Sequence, residues 1–191
     1  MTHQFTINVI GYTWEILGIV WLGGLAFTKR TVRSQPIGQR VFQMVLVLFG
    51  FLLLGSKYIR GGWLGRNFIE PTPALETLGL SITIAGCLFA IWARITLGSN
   101  WSGRATVKAG HQLIVKGPYA IARHPIYTGM LIGAVGTGLA MAEWRCFLGF
   151  ALLAMVFAAK MGQEEKLMLQ TFPESYPRYR QRVKALIPGV L

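Results

Sequence analysis

Aspartate is absent from this chain of 191 residues, and acidic residues of any kind number only seven. Charged residues make up 14% of the sequence, well below the roughly 25% of a soluble domain, so a soluble globular protein is not expected. The only two cysteines, Cys87 and Cys146, lie inside apolar runs, which is typical of neither a disulfide framework nor a zinc site. The three histidines, His3, His111 and His124, show no metal-ligand spacing, and no metal site is predicted.

Lysine and arginine, in contrast, occur 19 times and give a net charge of +12. A charge of this size is compatible with nucleic-acid binding, but the cations lie in short loops between apolar runs and in the C-terminal tail. The positive-inside rule places cations there, beside anionic lipid headgroups. Membrane lipids are therefore the predicted partners of these segments, and no nucleic acid is expected.

Apolar residues make up 53% of the chain and gather into five runs. A helix of about 20 apolar residues crosses the ~30 Å of hydrocarbon in a bilayer. The five runs are Ile7–Phe27, Val41–Ile59, Ala74–Leu97, Ile126–Ala142 and Cys146–Ala159. We predict an all-α, polytopic integral membrane protein of about five transmembrane helices. It forms one membrane domain over residues 1–191, with three helices in 1–97 and a polar loop, a hairpin of two short helices and a tail in 98–191.

The cations also predict the orientation of the helices. Residues 28–40 contain four Lys or Arg, residues 98–125 four and the tail from Lys160 six, whereas residues 60–73 contain two and the first eight residues none. This bias places the first loop, the third loop and the C-terminus in the cytoplasm. The two most polar segments then share one face of the membrane, where they can build one site.

Several residues inside the runs need an explanation. Glu15 is an acid within a predicted span, which favours a functional role, whereas Arg94 lies near a helix end and can snorkel to the interface. The fourth run contains small residues at helical spacing, namely Gly129, Gly133, Ala134 and Gly138. These small residues favour close helix packing, and a groove for a lipid chain is the alternative.

Two polar segments carry a specific combination of motifs. The first runs from His111 to Tyr127 and contains Gly-Pro-Tyr followed by Arg-His-Pro-Ile-Tyr; the second contains Glu164-Glu165 and then Tyr-x-x-Tyr-x-x-Arg-Val, ending at Val183. Over roughly residues 98–188 this pattern resembles the isoprenylcysteine carboxyl methyltransferase family and the related phospholipid methyltransferases. The resemblance implies a methyltransferase that uses S-adenosylmethionine on a lipophilic small molecule or prenylated substrate.

The resemblance also implies roles for individual residues. The cofactor-binding positions are His111, Gln112, Leu113, Ile114, Tyr119, His124, Pro125, Ile126, Tyr127 and Glu164. A cation one helical turn before the first Glu, usually Arg in the family, is associated with the substrate carboxylate; here it is Lys160, which keeps the charge but lacks the planar fork. Together with the retained Arg182, it is a predicted catalytic residue.

The residues support this chemistry on their own terms. Methyl transfer from a sulfonium to an ionised carboxylate needs no general base, so the protein mainly aligns two groups and excludes water. Lys160 and Glu164 are spaced i, i+4 and share a helix face, where they can neutralise a substrate anion and hold the cofactor's ammonium. Pro125 suits the first turn of a helix, which makes His124 the N-cap, and the free N–H groups at that helix start suit a carboxylate.

Simpler interpretations remain for several residues. Glu165 is expected to be a solvated neighbour of Glu164, and Tyr176 and Tyr179 to be a lid or packing strip. The cations Arg178, Arg180 and Lys184 suit a headgroup-binding fringe, a role that is also open for Arg182. The favoured function is O-methylation of a prenylcysteine-like carboxylate at a cytoplasmic site; N-methylation of a lipid and a non-enzymatic membrane scaffold are the alternatives.

Overall fold

The computed structural model describes residues 2–25, 31–34, 37–55, 59, 61–100, 106–108 and 113–189. This part of the chain contains six α-helices and two short strands. They are α1 (His3–Leu25), β1 (Thr31–Ser34), α2 (Ile37–Gly55), α3 (Pro73–Leu97), β2 (Thr106–Lys108), α4 (Pro125–Met141), α5 (Trp144–Thr171) and α6 (Ser175–Arg182). Short 3₁₀ turns lie at Gly62–Gly65, Gly98–Asn100 and Gly117–Ala120.

Each of the five predicted apolar runs forms a helix. By length and composition, α1, α2, α3 and α5 are able to cross a membrane, and α4 is an apolar helix of 17 residues. The prediction of an all-α, polytopic integral membrane protein is confirmed. Among the described residues, β pairing is limited to the short β1–β2 pair and an isolated bridge between Asn67 and Glu143.

The length of α5 departs from the prediction of a short final helix. The apolar run ends at Ala159, but α5 has 28 residues and continues to Thr171. The residues from Lys160 onward are mostly good helix formers, and Pro173 is the first proline after the helix begins, so the backbone has no reason to stop earlier. Glu164 and Glu165 therefore lie on a rigid continuation of a membrane helix.

Glycines set the close contact between α3 and α4. A Cβ on Gly86 would lie 2.6 Å from the backbone oxygen of Gly129, and one on Gly79 would lie 2.5 Å from that of Gly136. The predicted close packing of this stripe is confirmed at Gly129 and Gly133, where the two backbones touch directly, whereas a Cβ on Gly138 would make only an ordinary contact with Cys146. On the other side of the stripe, the ring of Trp14 covers Gly133.

Polar contacts fasten α1 to α3 at both ends. At one end, His3 Nδ1 lies 2.8 Å from Glu76 Oε1. At the other end, Arg94 is buried and donates a hydrogen bond of 2.8 Å to the carbonyl of Gly24, so the expectation that Arg94 snorkels to the interface is wrong. Glu15 lies on the exposed face of α1, and its role stays a prediction.

The strands bring two loops to the same end of the helices. β1, between α1 and α2, pairs antiparallel with β2, between α3 and α4. The first and third loops, predicted to share a face, therefore lie together. Arg94 also donates to the carbonyl of Gly98, which shows that its side chain lies near this end.

Candidate active site

Five polar side chains, which we call the carboxylate cluster, meet beside the polar part of α5. They are Arg123, His124, Tyr127, Glu164 and Glu165. The chain enters the cluster through the 3₁₀ turn Gly117–Ala120 and continues directly into α4. Residues about 40 positions apart are thus brought into hydrogen-bonding distance by the packing of α4 against α5.

Glu164 is held by residues of the Arg-His-Pro-Ile-Tyr motif. The Tyr127 hydroxyl donates a hydrogen bond of 2.6 Å to Glu164 Oε1, and His124 Nδ1 lies 3.5 Å from Oε2. The Tyr127 ring stacks on Phe157 of α5 with a centroid distance of 4.8 Å, which fixes the direction of its hydroxyl. The predicted partnership between this motif and Glu164 is therefore present in the structure.

Glu165 is not the solvated neighbour that the sequence led us to expect. Arg123 donates to Glu165 Oε1 through Nε at 3.0 Å and Nη2 at 2.6 Å, and His124 Nε2 lies 3.3 Å from the same oxygen. Arg180 Nε lies 3.4 Å from the other oxygen. The side chain of Glu165 is 14% exposed, against 24% for Glu164. Adjacent carboxylates on α5 thus have different surroundings.

His124 is the N-cap residue of α4, and Pro125 follows at the first helical position, as predicted. The first amides of a helix have no partner within the helix, so those of Ile126 and Tyr127 can serve an anion at this point. The imidazole of His124 lies between Glu164 and Glu165 and is 8% exposed. An imidazole, two carboxylates and a helix N-terminus are therefore adjacent.

The segment after α6, residues 183–186, is fastened to the start of α4; we call it the tail strap. Each of its four carbonyls accepts a hydrogen bond from Arg123, His124 or Thr128. Val183 accepts from Arg123 Nη1 at 2.6 Å and Lys184 from the Arg123 amide at 2.8 Å. Ala185 accepts from the His124 amide at 3.0 Å, and Leu186 accepts from Thr128 Oγ1 at 3.0 Å. The C-terminal tail is therefore part of the site.

The tyrosines around the cluster are mainly packing residues. Tyr176 and Tyr179 are buried and meet edge to face, and the Tyr179 hydroxyl donates to the carbonyl of Tyr119 at 2.6 Å. This arrangement agrees with the expected packing strip. Burial, and to a lesser extent the negative charge of Glu164, raises the pKa of Tyr119, so its hydroxyl stays neutral.

The other predicted site residues have different positions. His111 and Gln112 lie outside the described residues. Leu113 and Ile114 are partly buried in the extended segment before the 3₁₀ turn, and Lys160 is partly buried one helical turn before Glu164. Arg182 is exposed at the last turn of α6, and the guanidinium groups that lie against Glu165 are those of Arg123 and Arg180. The catalytic roles of Lys160 and Arg182 stay predictions.

Arg123 and Glu165 are the cluster residues that sequence reasoning missed. Each is the direct neighbour of a residue that was assigned to the cofactor, His124 and Glu164. Two observations could have identified them: they lie next to assigned residues in the two motifs, and a partly buried carboxylate needs a counter-charge. The helix pattern alone did not show that both glutamates face the same loop.

The charge of His124 predicts how stability depends on pH. Burial alone lowers the pKa of His124, but hydrogen bonds and charges of Glu164 and Glu165 outweigh it, so the pKa lies above the ordinary 6.5. Stability from this proton is complete below the pKa of the unfolded histidine and is lost as pH rises through the higher folded pKa. We expect the thermal unfolding temperature in detergent to fall as the pH rises from the unfolded to the folded pKa of His124. His124→Gln should flatten that step, and an identical pH profile in both proteins would contradict the assignment.

Comparison with known proteins finds similar sequences. The profile of the isoprenylcysteine carboxyl methyltransferase family matches residues 78–170. Protein-S-isoprenylcysteine O-methyltransferase B of Arabidopsis thaliana is 32% identical over 119 residues, which are 61% of this chain and 60% of the relative. The cobalt-zinc-cadmium resistance protein CzcN of Cupriavidus metallidurans is 30% identical over 149 residues, which are 76% of this chain and 60% of that protein.

A solved structure is similar as well. It is that of a eukaryotic intramembrane Ras methyltransferase, isoprenylcysteine carboxyl methyltransferase, with a TM-score of 0.55 and 25% identity over 82% of this chain and 54% of that one. This chain thus spans about 60% of the length of the two relatives named above, and about half of the solved one. Residues 78–170 of this chain are thus similar to the isoprenylcysteine carboxyl methyltransferase family.

Proposed function

We propose that this protein is a membrane-embedded methyltransferase that uses S-adenosylmethionine to O-methylate the carboxylate of a prenylcysteine-like lipophilic substrate. The observation that carries the proposal is the contact of Glu164 with His124 and Tyr127 on the polar continuation of a membrane helix. These residues belong to the two motifs that resemble the family. The relatives named as protein-S-isoprenylcysteine O-methyltransferases support the same activity.

The carboxylate cluster fits the amino-acid end of S-adenosylmethionine. That end carries an ammonium and a carboxylate, and when bound the molecule would supply a methyl group on a positively charged sulfur. Glu164, with its side chain 24% exposed, suits the ammonium as a charge-assisted acceptor. The amides of Ile126 and Tyr127 at the start of α4 suit the carboxylate. A carboxylate and free backbone amides thus lie side by side, as the ammonium and the carboxylate of the donor require.

Lys160 is the proposed partner of the acceptor's carboxylate. It follows the apolar run that ends at Ala159 and precedes Glu164 by one helical turn, so its cation lies between the membrane part of α5 and the cluster. An ionised carboxylate attacks the methyl carbon in line, the carbon–sulfur bond breaks, and its electron pair stays on sulfur. No proton has to be removed, so orientation and exclusion of water are the protein's main tasks.

The location of the cluster supports access from the bilayer. A prenyl or acyl chain is favourably solvated by lipid, whereas the donor is water-soluble. The cations of the first loop, the third loop and the tail favour a cytoplasmic position for this end of the helices. We therefore place the cofactor site and the C-terminus in the cytoplasm, with the acceptor entering between the helices.

The test is to identify the methylated product. Purified protein in detergent or lipid vesicles, supplied with methyl-labelled S-adenosylmethionine and a farnesylated cysteine analogue, should form a methyl ester that mild base hydrolyses. Base-stable label on phosphatidylethanolamine would instead identify a lipid N-methyltransferase. Label on neither acceptor, with no donor binding, would favour the membrane scaffold. The substitution of Lys160 for the family's usual Arg is the reason to include the amine acceptor.

Lys160→Ala should retain donor binding but lose turnover on the carboxylate substrate by roughly 10- to 100-fold, the range for a lost hydrogen bond to a charged group. The reason is that the substrate anion loses its counter-charge. Turnover on the farnesylated cysteine analogue and calorimetric donor binding would be measured together. Lys166→Ala, an exposed lysine two residues after Glu164, is the matched control, and equal turnover in the Lys160 variant would remove Lys160 from the mechanism.

A further inference from the structure

The two adjacent glutamates of α5 are satisfied to different degrees. Both oxygens of Glu165 face guanidinium groups, because Arg123 binds Oε1 at 2.6 Å and Arg180 lies 3.4 Å from Oε2. Glu164 instead accepts from the Tyr127 hydroxyl on one oxygen and has His124 at 3.5 Å from the other, and the charge of Lys160, one helical turn earlier, also acts on it. Glu164 is also the more exposed of the two. The protein therefore neutralises one carboxylate and leaves the other more available.

The guanidinium of Arg123 contacts Glu165 on one side and backbone carbonyls on the other. Its Nε and Nη2 point to Glu165, while its Nη1 donates to the carbonyl of Val183 at 2.6 Å and to that of Arg180 at 3.3 Å. The planar fork has donors in both directions, and an ammonium of comparable reach would not span both sets of acceptors. Glu165 and the tail strap are thus held by the same side chain.

Resting on the proposed function, we propose that Arg123 is a positioning residue: by neutralising Glu165 it keeps that carboxylate from competing for the donor's ammonium, and so reserves Glu164 for it. His124 lies between the two glutamates. A change in the balance of charge between Glu164 and Glu165 would therefore shift its imidazole. Without Arg123, Glu165 would keep only its longer contacts with His124 and Arg180, and its less compensated charge would compete with Glu164 for the ammonium, since poorly paired buried charges are costly.

The experiment combines Arg123→Ala with Glu165→Gln. Arg123→Ala should weaken calorimetric binding of S-adenosylmethionine roughly tenfold or more, in line with couplings between residues of one charged network. The KM for the donor should rise, while the KM for the farnesylated acceptor stays unchanged. In the double variant, removing the bare carboxylate should restore donor affinity to within about threefold of the wild type. Arg123→Lys, which keeps the charge, should lie between the wild type and Arg123→Ala.

Arg178→Ala is the matched control, since Arg178 is an exposed arginine of α6, and it should bind the donor as the wild type does. Thermal unfolding of each variant checks that the fold is retained. Two results would overturn the inference: wild-type affinity in Arg123→Ala, or no recovery in a folded double variant, which would mean that Arg123 acts only through the tail strap. A wild type that fails to bind the donor would overturn the proposed function itself, and this inference with it.

Discussion

Glu164→Ala is expected to weaken the binding of S-adenosylmethionine by roughly 30- to 3,000-fold, because loss of one partner from a buried charge pair costs about 2–5 kcal/mol. The variant removes the proposed acceptor of the donor's ammonium and also the partner of the Tyr127 hydroxyl and of His124. Calorimetry in detergent measures the change directly. His124→Ala should also weaken binding, since it removes the imidazole that lies against Glu164 at the start of α4.

Matched variants separate this effect from a general change of charge. Glu174→Ala removes an exposed carboxylate before α6 and should leave donor affinity unchanged. Tyr127→Phe removes only the hydroxyl that holds Glu164, and an effect of about 1 kcal/mol, close to fivefold, is expected. Unchanged affinity in both Glu164→Ala and His124→Ala would show that the donor binds elsewhere.

Arg145→Ala is expected to lower the free energy of unfolding by about 3–5 kcal/mol, the usual effect of breaking a buried ion pair. Arg145 is fully buried beside Glu143, which caps the start of α5. It donates to the carbonyls of Leu53 at 2.8 Å and Leu54 at 3.2 Å, which are in the last turn of α2 and lack partners within the helix. One side chain thus joins the ends of α2 and α5.

Thermal or denaturant unfolding in detergent, monitored by circular dichroism, measures this loss. Arg66→Ala, an exposed arginine whose backbone carbonyl accepts from Trp144, is the control and should change stability little. Replacing both Glu143 and Arg145 by leucine should destabilise less than Arg145→Ala, because no buried charge is then left without its partner. An Arg145→Ala protein as stable as the control would mean that the pair contributes nothing.

The helices were predictable because lipid imposes a simple rule on the sequence. Every backbone polar group in hydrocarbon must be satisfied within a helix, so each apolar run had to form one, and all five do. The rule says nothing about where a helix ends once it leaves the lipid. That is why the extension of α5 past Ala159 to Thr171 was not foreseen.

The candidate site was partly predictable for a related reason. The position of His124 before Pro125 follows from local backbone chemistry, and the i, i+4 spacing placed Lys160 and Glu164 on one helix face. Arg94 and Arg145 could not be predicted in the same way. A cation near an apolar run is equally compatible with snorkelling to the interface and with capping the carbonyls of a neighbouring helix, and the choice depends on which helix lies beside it.

The sequence by itself determined that this is a helical membrane protein, because that property depends on transfer of residues between water and lipid and needs no knowledge of neighbours. The tertiary structure alone decided that Glu165 is bound by Arg123 while Glu164 stays more available, and that the tail strap is fastened to the start of α4. Pairing of charges depends on distances of a few ångströms between segments some 40 to 60 residues apart, and only the packing of α4, α5 and the tail sets those distances.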